Sequence, residues 1–229
     1  MIIKGLQEFT LIDYPKKVAC TIFTFGCNFR CKYCHNPELV FNNGTPEIPE
    51  EEILKFLDER KDFLDGICIT GGEPTLHKDL PEFIFKIKKF GLLVKLDTNG
   101  TNPEMLKKLT KNKLVDYVAM DIKAPLEKYE KVVGVKVNKK KIQESVNVIR
   151  NSGLEYEFRS TILPALHSKE DLIKIGEWLK GSKKFCIQNF VPTKTLEEKF
   201  KKEKSFSSKE LGEFVDILKP YFEKVEIRE

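Results

Sequence analysis

The chain predicts an α/β protein: a parallel sheet with helices packed on its outer face, and three observations carry that prediction. Short apolar runs alternate strictly with stretches of helical periodicity, giving six strand-helix units in succession. The glycine-rich and charged residues fall just after the apolar runs, in the loops at the C-terminal strand ends where such sheets place their sites. No shift of composition divides the 229 residues, so residues 1–229 are expected as a single domain, with 193–207 as a mobile loop. A partial barrel and a doubly wound sheet both satisfy this alternation.

The elements follow in order. Residues 1 to 13 read as an irregular or strand-like lead-in closed by a turn at Asp13, Tyr14 and Pro15, and Val18 to Thr24 is the first clear strand. Ile53, Phe56 and Leu57 lie at helical spacing behind Pro49 and three glutamates, which suit a helix N-terminus between Pro49 and Arg60. Gly66–Thr70 precedes a helix over Leu80–Phe90, and Leu92–Asp97 precedes one over Pro103–Lys111. Asp116–Ile122 pairs with a helix from about Lys139 to Asn151. Leu154–Thr161 pairs with Ser168–Leu179, Phe185–Phe190 with Ser207–Leu218, and Val225–Arg228 adds an edge strand.

Composition bounds the function. Charged residues make up 33 % of the chain, and a net charge of +5 is spread along it without an aromatic and basic stripe, so a nucleic-acid partner is not expected. No apolar run is long enough to span a bilayer, and Met1–Asp13 lacks the pattern of a signal peptide, so the expected location is cytoplasmic, with no membrane partner. Cys20, Cys68 and Cys186 stand singly in apolar runs and read as small buried hydrophobes.

The other three cysteines, Cys27, Cys31 and Cys34, lie within eight residues directly after the first strand. Three soft, anionic ligands on one short loop converge on an inorganic centre at little cost in loop closure. A c-type haem would match Cys31, Cys34 and His35 but belongs with an exported protein. A zinc site with His35 as fourth ligand would require adjacent residues to reach one tetrahedral ion. An iron-sulfur cubane has four irons, so three cysteines leave one iron open to another ligand.

Further unusual residues end the later strands. Gly71, Gly72, Glu73 and Pro74 follow one strand, as an ordinary glycine turn or a close backbone approach. Asp97, Thr98, Asn99 and Gly100 end the next, and Asn102 with Pro103 reads as an N-cap and first helical position. Asp121 and Lys123 end an apolar strand, where two charges need each other or a ligand.

The loop Cys27-x-x-x-Cys31-x-Tyr33-Cys34 resembles the signature of the radical S-adenosylmethionine (SAM) enzymes. The resemblance implies a three-quarter barrel of six strand-helix units, a partial (β/α)6 TIM-type barrel. It implies one 4Fe-4S cluster on Cys27, Cys31 and Cys34, with the open iron chelating the amino and carboxylate groups of SAM and Tyr33 beside the adenine. Gly71 to Pro74 resemble the motif whose backbone edge receives the SAM amino group. In the glycyl-radical-enzyme activases, segments similar to Asp97-Thr98-Asn99-Gly100 and Asp121-x-Lys123 contact SAM. By that likeness Lys123 holds the SAM carboxylate, Asp97, Thr98 and Asp121 line a monovalent-cation site, and Arg159 is a further candidate of the same kind. A histidine found after the sixth strand of the pyruvate formate-lyase activase has no match here, where Gln188, Asn189 and Phe190 stand.

Within that family, Gly5-Leu6-Gln7, Thr10 to Pro15 and Gly26 to Val40 are similar to the activating proteins of anaerobic ribonucleoside-triphosphate reductase. The implied partners are that glycyl-radical enzyme and a flavodoxin or ferredoxin electron donor. The implied reaction cleaves SAM reductively and moves a hydrogen atom from a backbone glycine of the partner. No cysteine lies between Cys34 and Cys68, so the ferredoxin-like insert of some activases is absent. Two alternatives differ in class: a small-molecule radical SAM enzyme such as a 7-carboxy-7-deazaguanine synthase, and a non-enzymatic electron-transfer module.

Overall fold

The computed structural model describes residues 1–42 and 44–228. Eight strands follow one another in chain order in a sheet that does not close on itself. They are β1 (Ile3–Thr10), β2 (Ala19–Thr24), β3 (Gly66–Gly71), β4 (Leu93–Thr98), β5 (Tyr117–Asp121), β6 (Glu155–Ile162), β7 (Ser182–Asn189) and β8 (Phe222–Arg228). Between them run α1 (Glu50–Arg60), α2 (Leu80–Lys88), α3 (Pro103–Lys111), α4 (Tyr129–Val133), α5 (Lys139–Arg150), α6 (Lys169–Leu179) and α7 (Ser208–Leu218). The expected α/β class with parallel strands is what the chain adopts.

Two compact units divide the chain. The first holds Met1–Asn28, Glu38–Ala119 and Lys140–Glu155; the second holds Phe29–Pro37, Met120–Lys139 and Tyr156–Glu229. In the first, β1 pairs antiparallel with β2, and β2, β3 and β4 pair in parallel, with Ile22 opposite Ile69 and Ile69 opposite Leu96. Strands covered on both faces read as nearly continuous apolar runs, and Ile22, Ile67, Ile69, Val94 and Leu96 are fully buried. In the second unit β6, β7 and β8 pair in parallel.

Side-chain caps begin several helices where the sequence places them. The Asn102 side chain accepts from the Met105 N–H at 3.2 Å, with Pro103 in the first helical position. Ser168 with Asp171, and Ser207 with Glu210, form capping boxes at the starts of α6 and α7.

The lead-in, expected as irregular or strand-like, is the strand β1, whose residues between buried Ile3 and Thr10 are half-buried and then exposed, so it shows no alternation to read. Two features differ from expectation. Helix α4 is too short to display a period and ends at Gly134, with φ +74°. In the segment 193–207, Phe200 and Phe206 are buried, and a short 3-10 turn spans Glu198–Lys202. No described helix is long and apolar enough to cross a membrane.

Candidate functional site

In the first unit the end of β2, the end of β3 and the end of β4 are tied together. The N–H groups of Gly72 and Glu73 donate to the carbonyls of Thr24 and Gly26 at 2.8 and 2.7 Å. A Cβ on Gly71 would lie 2.3 Å from the Thr24 nitrogen, and one on Gly72 only 2.1 Å from the Gly26 oxygen. The two glycines are therefore required by the close approach of the end of β3 to Thr24 and to Gly26, whatever else their backbone does.

Glu73 is fully buried. Its Oε1 accepts from the Thr75 N–H and hydroxyl and from the Thr98 hydroxyl, and its Oε2 accepts from the Asn99 N–H at 2.6 Å. Burial pushes its carboxyl up from the ordinary value, and these four hydrogen bonds oppose that rise by favouring the carboxylate. Asn99 extends the network: its Nδ2 donates to Asn28 Oδ1 at 2.8 Å, while Asn28 Nδ2 donates to the Thr101 hydroxyl at 2.9 Å. Asn28 adjoins Cys27 in sequence, so the loop's first ligand candidate is held through β4's terminal turn. Asn28, Thr75 and Thr101 are supporting residues that one-dimensional reading passes over.

Asp97 lies two residues from Lys95, and the buried Lys95 ammonium donates to its carboxylate. Pro74 is buried and begins a short turn, Pro74–Leu76, that presents Thr75 to Glu73.

The second unit carries the remainder. The Arg30 N–H donates to the Val133 carbonyl at 2.8 Å, and Phe29 meets Tyr129 edge-on at 6.2 Å, so α4 supports the cysteine loop. A Cβ on Gly134 would approach the Arg30 oxygen to 2.6 Å, which explains a glycine there. On the other flank, Glu197 N–H donates to the Lys32 carbonyl at 3.0 Å while the two side chains pair at 3.1 Å. His35 stacks on Phe190 at 5.3 Å and its Nε2 donates to the Val191 carbonyl. Residues 190–197 thus strap the segment that bears Cys31 and Cys34.

Asp121 sits between two cations. Arg159 Nε donates to Oδ1 at 2.6 Å and Lys123 Nζ to Oδ2 at 3.0 Å. Burial works against the Asp121 carboxylate, but Arg159 and then Lys123 overcome it and hold its pKa well below the ordinary range. Burial also works against the Lys123 ammonium, and the Asp121 carboxylate outweighs it, so Lys123 stays protonated. The ion pair considered from sequence is therefore present; an ammonium with three hydrogens can serve it and a ligand carboxylate together.

Tyr33 is buried among His167 and Phe190, each edge-on at 6.4 Å. Its hydroxyl is buried and has no hydrogen-bond partner among the described residues. Burial, with Cys31 nearby, raises the phenol's pKa well above the ordinary value, so it is a neutral donor. His167 is used structurally: Nε2 donates to the Lys123 carbonyl at 2.9 Å and Nδ1 accepts from Leu163 N–H. Asn189, at the strand end where a histidine was sought, exchanges two hydrogen bonds with the Phe206 backbone.

The donor chemistry fits a cluster. All six cysteines are free thiols; Cys20, Cys68 and Cys186 are fully buried, and burial pushes the Cys20 and Cys186 thiols up to about 12 and about 11. Cys27 and Cys34 are partly exposed and Cys31 is buried. Among the described residues no three His, Cys, Asp or Glu side chains gather as a site for one metal ion. A cubane asks for less, since each thiolate binds a different iron.

A parallel α/β sheet whose first parallel strand leads into a loop with three thiols, beside a buried phenol, has the build of an iron-sulfur protein. Residues 21–179 match the family model of the radical SAM superfamily. A Methanocaldococcus jannaschii protein provisionally named a glycyl-radical enzyme activating enzyme is 38 % identical over 232 residues, covering 99 % of this chain and 95 % of that protein. The pyruvate formate-lyase-activating enzyme of Clostridium pasteurianum is 30 % identical over 203 residues, covering 85 % of this chain and 82 % of its own. Streptococcus suis SuiB bound to S-adenosylmethionine shares the fold, with TM-score 0.68 and 14 % identity over 90 % of this chain; the chain spans 49 % of SuiB's length. This chain belongs to the radical SAM superfamily and, within it, to the glycyl-radical-enzyme activating enzymes. Its cofactors are those of the family, a 4Fe-4S cluster and SAM.

Proposed function

We propose that the chain, working as one radical SAM domain in the cytoplasm, installs the glycyl radical of an anaerobic ribonucleoside-triphosphate reductase, with a flavodoxin or ferredoxin as electron donor. The single observation that carries the site assignment is the buried Tyr33 hydroxyl without a protein partner, placed between two cysteines of the loop. A buried phenol in that state costs about 1–3 kcal/mol unless a ligand or water meets it. In this reading Cys27, Cys31 and Cys34 hold the cluster, and Tyr33 borders the adenosyl group.

When bound, the cluster and SAM supply the reductive cleavage that gives methionine and a 5′-deoxyadenosyl radical, the hard chemistry that a protein scaffold cannot perform. The chain's residues position and shield. Lys123, kept protonated by Asp121, offers its remaining hydrogens to the SAM carboxylate. Arg159 neutralises the other oxygen of Asp121, so that this carboxylate does not repel the ligand's. The Glu73, Thr98 and Asn99 network holds the turn before α3 rigid, so that the backbone edges of Gly71 to Pro74 and of Asp97 to Asn99 keep fixed positions around the ligand. The strap at Lys32 and His35 holds that side of the loop in place.

The partner assignment rests on the similarity of Gly5–Gln7, Thr10–Pro15 and Gly26–Val40 to the reductase activators. Anaerobically reconstituted protein, immobilised and given SAM, should retain the reductase from an anaerobic extract, identified by mass spectrometry. Retention of pyruvate formate-lyase alone would reassign the partner while leaving the activase reading intact.

A further inference from the structure

The resemblance to activases implies an inorganic monovalent cation beside Asp97, Thr98 and Asp121, and the residues present do not fit one. Strand β4 runs Leu93, Val94, Lys95, Leu96, Asp97, Thr98, so strand alternation puts Lys95 and Asp97 on the same face. The Lys95 side chain is 1 % exposed and its ammonium donates to the Asp97 carboxylate and lies 3.6 Å from the Cys68 sulfur. Asp121 in turn is held by Arg159 at 2.6 Å and by Lys123 at 3.0 Å. Each carboxylate that would attract a potassium or sodium ion already has a fixed protein cation at its oxygens.

A lysine in the middle of a buried strand is costly to desolvate and is retained only with a partner. Its length here is that of a tether: the stem runs along the strand and delivers a compact, singly charged ammonium to the next carboxylate on the same face. An ammonium has the charge of a potassium ion and a comparable size, and attachment to the chain gives it an effective concentration far above that of a dissolved ion.

We infer that the Lys95 ammonium serves as a built-in monovalent cation for Asp97, making cofactor binding by this chain independent of potassium and sodium. The inference deepens the activase reading by naming how the Asp97 turn is neutralised. Its outcome is read without any partner enzyme.

The test compares reconstituted wild type with Lys95→Met in tetramethylammonium chloride, whose cation is too large for the position, and during titration with potassium or ammonium at constant ionic strength. Thermal midpoint and SAM dissociation constant are the readouts. Wild type should hold its midpoint within about 1 °C and its SAM affinity within about twofold across all salts. Lys95→Met removes the cation paired with a buried carboxylate and should lose about 10 °C in tetramethylammonium, regaining at least half of it, saturably, with potassium or ammonium. Should Lys95→Met not fold, the double variant Lys95→Met with Asp97→Asn carries the test. Removing both charges should restore folding and leave no response to either ion. A wild type whose SAM affinity tightens about tenfold or more with potassium, a folded Lys95→Met indifferent to both ions, or a double variant no more stable than the single one would each overturn the inference. Failure to form a glycyl radical on the reductase would count against the proposed partner and leave these readouts standing.

Discussion

Replacing Glu73 by glutamine changes one atom and separates a supporting role from a ligand-binding one. The carboxylate accepts four hydrogen bonds, three on Oε1 and one, from the Asn99 N–H, on Oε2. Glutamine keeps the first three if its carbonyl oxygen takes the Oε1 position. Its amide nitrogen must then face the Asn99 N–H, donor against donor. The variant loses one charge-assisted hydrogen bond, worth about 1.5–3 kcal/mol, and leaves a buried N–H unsatisfied at about 1–3 kcal/mol. Relief from burying a charge returns part of this, since burial raises the Glu73 pKa. A net loss of about 2–4 kcal/mol corresponds to a fall in thermal midpoint of about 4–16 °C for a chain of this size. The assay is thermal unfolding at pH 7 of anaerobically reconstituted protein, with SAM titration on the same samples. Equal midpoints for Glu73→Gln and wild type would refute the reasoning, and weakened SAM binding at an unchanged midpoint would make the carboxylate a direct ligand.

The remaining predictions concern the cysteines and the ion pairs. Reconstituted wild type should hold about four irons, with Cys27→Ala, Cys31→Ala and Cys34→Ala each abolishing SAM cleavage and Cys20→Ala, Cys68→Ala and Cys186→Ala retaining it; iron content and methionine release decide. Lys123→Met should weaken SAM binding about 10–100-fold, the worth of one charged hydrogen bond, at unchanged iron content because Arg159 still satisfies Asp121; unchanged titrations would restrict Lys123 to the ion pair. Asp121 has a folded pKa depressed below its ordinary 3.8, so its stabilisation is present above pH 3.8 and is lost as pH falls below that toward the folded value. Asp121→Asn should therefore be less stable at pH 7 and show a flatter stability profile below pH 4. A wild-type slope persisting there in the variant would assign the acid limb to other carboxylates.

What sequence could carry was local. Helix α3 is legible because Asn102, Pro103 and an apolar face at Leu106 and Leu109 agree, and α6 because Ser168 caps the same period that buries Leu172, Ile175 and Leu179. Strand β1 is legible only as an irregular or strand-like lead-in, since an edge strand with one antiparallel neighbour buries too little to impose alternation. The cysteine loop and the strand-end turns are legible because rare residues cluster there. Their supports are not, because the pairs that hold them are far apart in the chain: Asn28 with Thr101, Arg30 with Val133, Lys32 with Glu197, His35 with Val191. The segment 193–207, read as a mobile charged loop, contains the buried Thr195 and Phe200 and also Glu197, whose N–H donates to the Lys32 carbonyl. Lys95 had a visible signal, a cation within an apolar strand, whose meaning depended on the partner two residues on.

Electron paramagnetic resonance of the candidate reductase, mixed anaerobically with the reconstituted protein, SAM and dithionite, tests the central claim most directly. A glycyl-radical doublet should appear on the reductase, require SAM and disappear with the Cys31→Ala protein. SAM cleavage proceeding at full rate with no radical on the reductase, or on any glycyl-radical enzyme supplied in its place, would contradict it.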